Sequence, residues 1–479
     1  MKHLHILFTA GLMGAWALTG SAQVFSLDSC RSLAIGNNKN IRIAEQAIKG
    51  AGYERKAAHA AYLPGVDFTG GYMYNQRTIN LLSENAKLPT MTFDPLSGKY
   101  VPNILVGPDG PVKDPATGSY IPTEVAVIPK EAMSFNTHNV FAGAFTITQP
   151  VYMGGQIRAL NEITKFAEQA AIAARNSVVQ DVVFAVDEAY WMVVSLKAKK
   201  ALAESFVNLV DTLHYNVQAM LDEGVATRSD LLTVDVKLNE ARIALTKVDN
   251  GLTLSRMALA QICGLPVNSN MTLQDENYTS RPEVAPEVSY QMEDVFARRQ
   301  DLEALRQGVL LLKHKEKLTM SEMLPKVAVV GAYEFSNPNL NDGFHRKFGG
   351  GFSVGATLTV PLWHWGGNYN RYRASQAATN AQRLLLEDME EKVELQVNQA
   401  KFSYQEAFKT YDMTLANMKS AEENLSNARF GFKEGVLTTD DVIAAQTAWL
   451  QANSEKIDAE IGIHLCEVYL AKVLGRLNY

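Results

Sequence analysis

The chain has 479 residues, 47% of them hydrophobic and 20% charged, with 45 basic against 51 acidic side chains and a formal net charge of −6. So much apolar material excludes a disordered polymer, and the acidic balance excludes a basic nucleic-acid binder. Length alone suggests roughly three domains, yet eight of the 16 prolines crowd between Pro89 and Pro129, so long stretches run without a breaker.

Residues 1–22 read as a secretory signal: Lys2 gives a positive start, Leu4 to Leu18 is mostly apolar, and Gly20-Ser21-Ala22 offers small residues for cleavage before Gln23. The apolar run is shorter than the ~18 residues of a spanning helix. Its removal deletes one lysine and no acid, which brings the charge to −7. A lipid anchor at the mature start calls for a cysteine next to the signal, and the nearest, Cys30, lies eight positions beyond Ala22, which disfavours lipidation. Cys30, Cys263 and Cys466 are odd in number and widely spaced, which fits buried or unpaired thiols better than a disulfide scaffold or a ligand cluster.

From there two periods alternate. Helical spacing predicts a helix of roughly 35 residues over 28–62. Strict alternation follows, with Val66, Phe68, Gly70, Tyr72 and Tyr74 opposed by Asp67, Thr69, Gly71 and Asn75. The segment from about 76 to 138 is rich in Pro, Gly and Asp and reads as an elongated loop. A second strand alternates Phe141, Gly143, Phe145 and Ile147 with Ala142, Ala144, Thr146 and Thr148. The stripe Val178, Val179, Val182, Val183, Val186, Tyr190, Val193 and Val194 marks one long helix between 154 and 222, followed by a shorter one over 230–264. The order then recurs: a helix over 290–324, strands alternating at Val327, Val329, Tyr333, Phe335 and at Phe352, Val354, Ala356, Leu358, Val360, a long helix from 366 to 434 and a short one over 441–475. At 1.5 Å per residue each long helix reaches ~100 Å.

The recurrence is internal repetition. Asn40-Ile41 and Leu63-Pro64 return as Asp301-Leu302 and Leu324-Pro325, 261 positions on; Pro150, Glu223-Gly224-Val225, Asp230 and Gly264 return as Pro361, Glu434-Gly435-Val436, Asp441 and Gly475, 211 positions on. The change of offset places an insertion in the first half, between Pro64 and Pro150. The expected organisation is a signal at 1–22, a first repeat over 23–288 with a hairpin at 66–150, and a second repeat over 289–479 with a hairpin at 326–361.

Four strands of about ten residues suit a tilted crossing of a bilayer. In hydrocarbon an open sheet edge leaves backbone groups without partners, so spanning strands must close into a barrel, and four are too few. The edges must therefore pair with other copies: two copies give eight strands, three give twelve. Each hairpin exit, Pro150 to Gly155 and Pro361 to Gly367, carries a proline expected to stop the ladder and paired glycines expected to re-aim the chain. Tyr152, Trp363 and Trp365 are then candidates for aromatic anchors at the membrane interface.

In this order, and twice over, these features resemble the TolC-type outer-membrane efflux channels. They run from Ser26-Leu27-Asp28 to Asn40-Ile41, through the Leu-Pro pairs at 63–64 and 324–325, the Pro-x-x-x-Gly-Gly exit at 150–155 and its counterpart with one more residue at 361–367, to the Gly-Val tips at Gly224 and Gly435. The resemblance covers essentially the whole mature chain. It implies a mainly α fold with a transmembrane β part, in which a homotrimer builds a 12-stranded barrel continued by a long antiparallel α-helical barrel. It also implies a location in the outer membrane of a Gram-negative bacterium with the helical part in the periplasm, and as partners a periplasmic adaptor, an inner-membrane pump and outer-membrane lipid. On this topology the insertion faces the cell exterior.

The resemblance further implies that the two helix tips form the periplasmic entrance. Adaptor contacts fall on Gly224, Val225, Thr227, Gly435, Val436 and Thr438; the closed gate and constriction fall on Asp230 and Asp441, with Asp440 and Arg228 beside them. The chain departs from the family pattern at Ala444, where some members carry a second acidic ring, and at Leu437, where some carry a basic residue. Glycine ends the first helix of each tip, and Ser229, Asp230 or Asp440 can cap the next.

An enzyme is disfavoured: there is no Ser-His-Asp order with supporting turns and no metal-spaced His or Cys pair, and Gly349-Gly350-Gly351 lacks the setting and lysine of a phosphate loop. No cofactor or metal is called for, and the scattered methionines give no support to metal export. The competing reading is a soluble periplasmic coiled-coil scaffold or adaptor, which would share the helical stripes but has no need of four strands with aromatic faces.

Overall fold

The computed structural model describes residues 24–276, 289–339, 342–343 and 345–477; the expected signal segment lies outside them. In chain order, β1 (Val24–Phe25) leads into α1 (Leu27–Asn37), α2 (Lys39–Ala60) and β2 (Gly65–Tyr74). The insertion holds β3 (Ile79–Asn80), β4 (Ala86–Pro89), β5 (Met91–Asp94), β6 (Lys99–Pro102), β7 (Val106–Gly107), β8 (Gly110–Pro111), β9 (Val125–Ile128) and β10 (Ser134–Phe135). Then come β11 (Asn139–Tyr152), α3 (Gln156–Asp222), α4 (Arg228–Ile262), β12 (Thr272–Leu273), α5 (Met292–Arg298) and α6 (Gln300–Ser321). The chain closes with β13 (Lys326–Asn337), β14 (Gly349–Thr359), α7 (Gly367–Lys433) and α8 (Thr439–Val473). Two compact units result, one of Met1–Lys56, Leu160–Glu316 and Arg373–Tyr479, the other of Ala57–Ala159 and Lys317–Tyr372.

The first unit is helical. Valine prefers strands because its branched Cβ stiffens χ1, yet α3 carries Val179, Val183, Val186 and Val193, all fully buried. Their spacing of three, four and seven puts them on one helix face, where they pack with Cys30 and Ala34 of α1, Leu259 of α4 and Ile461 of α8. Burial at ~1.5–3 kcal/mol per large aliphatic side chain outweighs a propensity cost of a few tenths. Nearer the tips, Phe206, Val210, Leu213 and Val217 of α3 interlock with Leu231, Val234 and Leu238 of α4. Val393, Val397 and Tyr404 of α7 pack on Leu302 of α6 and Leu470 of α8. Both long helices have 67 residues and both short partners 35.

The helices expected over 28–62 and 290–324 are each broken once. Asn38 (φ −64°, ψ 131°) separates α1 from α2, and Arg299 (φ −70°, ψ 116°) separates α5 from α6. Neither break uses Pro or Gly. At each, a polar side chain reaches a carbonyl at the end of a 35-residue helix: Asn38 Nδ2 donates to Ile262 O at 2.9 Å, and Arg299 Nη1 to Val473 O at 3.3 Å. The Asn38 side-chain oxygen also accepts from the Asn40 amide and so starts α2.

The second unit contains one four-stranded antiparallel sheet in the order β14-β13-β11-β2, which leaves β14 and β2 at its edges. The ladder does not stop at Pro150, contrary to expectation. β11 runs on to Tyr152 through a register shift between Pro150 and Tyr152, the bulge geometry that lets a strand carry a proline. The insertion also differs from the loop expected of it. Its short strands pair as β3·β10, β4·β9, β5·β6 and β7·β8. Runs of two to four residues are too short for alternation to register in a sequence.

Candidate functional site

The four strands put their large apolar side chains on one face. The register aligns Phe68, Phe145, Tyr333 and Phe352 in a single row across all four strands, with Val66, Ile147, Gly331 and Val354 in the next row on that face. The row between them, Asp67, Thr146, Ala332 and Ser353, points to the opposite face. Phe68 and Phe145 meet at a tilt of 39° with centroids 4.8 Å apart. No described element of this unit covers the face: Phe68 is 58% exposed, Phe352 82% and Val354 73%. A contiguous uncovered apolar surface of this kind marks an interaction site.

The two exits from the sheet place the candidate interface aromatics. After β11, Gly154 and Gly155 both take positive φ (63° and 83°). Gly154 has no space for a side chain, since a Cβ there would lie 2.8 Å from Leu324 Cβ and 2.9 Å from Ser321 O. After β14 the matching left-handed pair is Trp365 (φ 50°) and Gly366 (φ 75°), not the paired glycines 366 and 367. Open surroundings permit it, because Trp365 is 87% exposed. A bulky residue in that region costs of order 1–3 kcal/mol. Trp363 is exposed as well, and the two indoles meet edge to face at 5.7 Å. Tyr152 is exposed at the end of β11.

At the tips, each long helix ends in a left-handed glycine, Gly224 (φ 74°) and Gly435 (φ 73°). The Val225 amide donates to Met220 O and the Val436 amide to Gly431 O, both at 2.8 Å, while the glycine amides reach Leu221 O and Phe432 O. These are Schellman closures, which satisfy carbonyls that the helix leaves open. The next helix is capped by Thr227 and Thr438, not by Ser229, Asp230 or Asp440. Asp230 and Asp441 occupy the third helical position and complete capping boxes. The amide and hydroxyl of Thr227 donate to Asp230 Oδ2 at 2.8 and 2.7 Å, and those of Thr438 to Asp441 Oδ2 at 2.9 and 2.7 Å. The threonine hydroxyls, then the amides, hold both carboxyls below the usual aspartate value. Thr-x-x-Asp at 227–230 and 438–441 is the signal in the sequence that identifies these caps.

Both tips line one cavity of about 760 Å³, with Met220 and Val225 contributed by the first and Phe430, Lys433 and Gly435 by the second. Val225 and Val436 are exposed. Asp440, Asp441 and Arg228 are exposed too, and among the described residues Arg228 forms no ion pair with either aspartate. Of the adaptor-contact candidates, Val225 and Gly435 line this groove, whereas Gly224, Thr227, Val436 and Thr438 do not.

No curated protein matches the sequence. Solved structures match the fold. CusC superposes with a TM-score of 0.72 at 14% identity, covering 94% of this chain and 91% of CusC. The CmeC outer membrane channel of Campylobacter jejuni gives 0.70 at 14% identity, covering 94% and 85%. The MtrE outer membrane channel of Neisseria gonorrhoeae, in its open state, gives 0.69 at 15% identity, covering 94% and 88%. The family model described as outer membrane efflux protein matches residues 30–265 and 292–476, which is most of the sequence. The chain belongs to the outer membrane efflux protein family.

Proposed function

We propose that three copies of this chain form the outer-membrane exit duct of a tripartite efflux or secretion system. The observation that carries this reading is the uncovered apolar sheet face with a free strand at each edge. Water disfavours such a face, and lipid favours it. Lipid also forbids the open edges, so β14 of one copy pairs with β2 of the next until the ring closes. Closure at twelve strands follows the family pattern, and contacts around such a ring are heterologous. The helical parts lie in the periplasm, residues 1–22 direct export, and the two halves of the chain are repeats of one plan.

The duct is passive. An inner-membrane pump supplies the energy, and a periplasmic adaptor binds the tips through Gly224, Val225, Thr227, Gly435, Val436 and Thr438. The gate lies at the same tips. Three Asp441 carboxylates around the axis repel one another, which raises their pKa, while the capping box in each chain lowers it; charged at neutral pH, they favour cations. Asp230, Asp440 and Arg228 set the field beside them. Opening splays the packed helix ends between discrete arrangements, favoured by the adaptor's tighter binding to the open one.

Reversal potentials of single channels in a salt gradient test the duct and its filter together. A cation preference that weakens in Asp441→Ala is expected. Conducting channels whose selectivity is unchanged in the variant remove Asp441 from the filter, and a detergent-free soluble monomer without conductance removes the duct.

A further inference from the structure

We propose that Cys30 and Cys263 close an intrachain disulfide that ties α1 to the end of α4. The inference rests on the export reading above, because an oxidising compartment is where such a bond forms and persists. The two cysteines lie 233 positions apart in sequence, yet both are fully buried in the same cluster, beside Phe25, Val183 and Met271. Both are free thiols in this structure, and the Cys263 thiol donates to the Cys30 carbonyl at 3.6 Å. Cys466 is set apart in a different cluster, beside α7 and the end of α8.

Three noncovalent ties already hold the partners in place. β1 pairs in parallel with β12, joining the start of the chain to the segment after α4. Asn38, at the end of α1, donates to Ile262 O, the residue before Cys263. Gly264, the residue after it, packs so closely on Asn37 that a Cβ would lie 2.5 Å from Asn37 Cβ. A bond here joins elements that the fold has already brought together.

The chemistry is thiol–disulfide exchange with a protein disulfide donor, that is, a thiol oxidoreductase in its oxidised form. The Cys30 thiolate attacks one donor sulfur and breaks the donor disulfide, giving a mixed disulfide. Cys263, after losing its proton, attacks the Cys30 sulfur and releases the donor as a dithiol. Two protons and two electrons pass from the chain to the donor, and the atoms balance. The exchange balances equally with the two cysteines interchanged, because the donor meets the chain before either thiol is buried. Both sulfurs are sealed from solvent in the folded chain, so the donor acts before α1 closes over the core, and a reductant reaches the bond only after unfolding.

Counting thiols tests this. Full-length protein from the outer-membrane fraction is denatured in urea without reductant and treated with a polyethylene-glycol maleimide. One adduct, on Cys466, is expected before reduction and three after it. Three adducts before reduction, on protein whose mass shows residues 1–22 removed, overturn the disulfide and leave the duct reading intact. The Cys466→Ser variant is expected to give no adduct before reduction, and two adducts there overturn the pairing. A chain that is not exported is refolded from urea in mixed oxidised and reduced glutathione and counted in the same way. One adduct then supports the pairing while export alone fails, and three overturn the pairing in any compartment.

Discussion

The helical unit and the sheet unit use the same kinds of side chain in opposite ways. In the helices, Val179, Val186, Tyr190 and Leu259 are fully enclosed by their own molecule. In the sheet, Val354, Leu358, Phe68 and Phe352 are more than half exposed, although they are as apolar and as regularly spaced. Periodicity alone makes both surfaces look like core. The difference teaches that the helices find their apolar partner within the chain while the sheet face stays open, which the duct proposal assigns to lipid and to neighbouring copies.

The largest expected break in this contrast comes from truncation. Leu259→Ala opens a cavity in the helical core and should cost ~2–5 kcal/mol, read as a lower unfolding midpoint in detergent. Leu358→Ala, on the sheet face, should leave that midpoint nearly unchanged. An equal loss in both would mean that the sheet face is packed like core.

Charge sharpens the contrast next. Ile147→Arg puts a guanidinium on the apolar face and should destabilise barrel assembly by ~2–4 kcal/mol if the residue sits near mid-bilayer, measured as loss of the heat-sensitive oligomer from outer membranes. Thr146→Arg, one residue away on the opposite face, should assemble and alter ion selectivity instead. Normal assembly of both variants would contradict the assignment of faces.

Smaller effects belong to the tips. Thr227→Ala or Thr438→Ala removes a helix cap at a cost of about 1 kcal/mol, visible as faster amide exchange in the first turn of α4 or α8 with the sheet unaffected. The same caps carry a pH dependence. At Asp230, outside the proposed ring of Asp441 carboxylates, the folded pKa lies below the ordinary aspartate value, so its contribution is present in full above about pH 4 and is lost as pH falls through the lowered folded value. First-turn protection in α4 should therefore decline only in that acidic range, and the decline should shrink in the Thr227 variant; a loss already complete at pH 5 would contradict that capping box.

The strands were legible to within a few residues because alternation over ten positions has a single reading, and the long helices because no breaker interrupts their stripes. The breaks at Asn38 and Arg299 were not legible, since they depend on carbonyls at Ile262 and Val473 that are remote in sequence. Ser229, Asp230 and Asp440 are plausible caps on residue type alone. Thr227 and Thr438 hold that place because they stand three residues ahead of a carboxylate that answers back. Trp365 in a left-handed turn runs against its residue type; its side chain stands in the open, whereas one at Gly154 would meet Leu324 and Ser321. The meeting of Cys30 and Cys263 had no local signature.

The central claim is that the aromatic face of the sheet touches acyl chains. The direct measurement is photolabelling of the reconstituted protein by a phospholipid carrying a diazirine in its tail, with labelled positions mapped by mass spectrometry. Label on Phe68, Phe145, Tyr333 and Phe352, with Thr69, Thr146 and Ser353 spared, is the predicted result. Equal label on both faces, or none on the aromatic row, would contradict it.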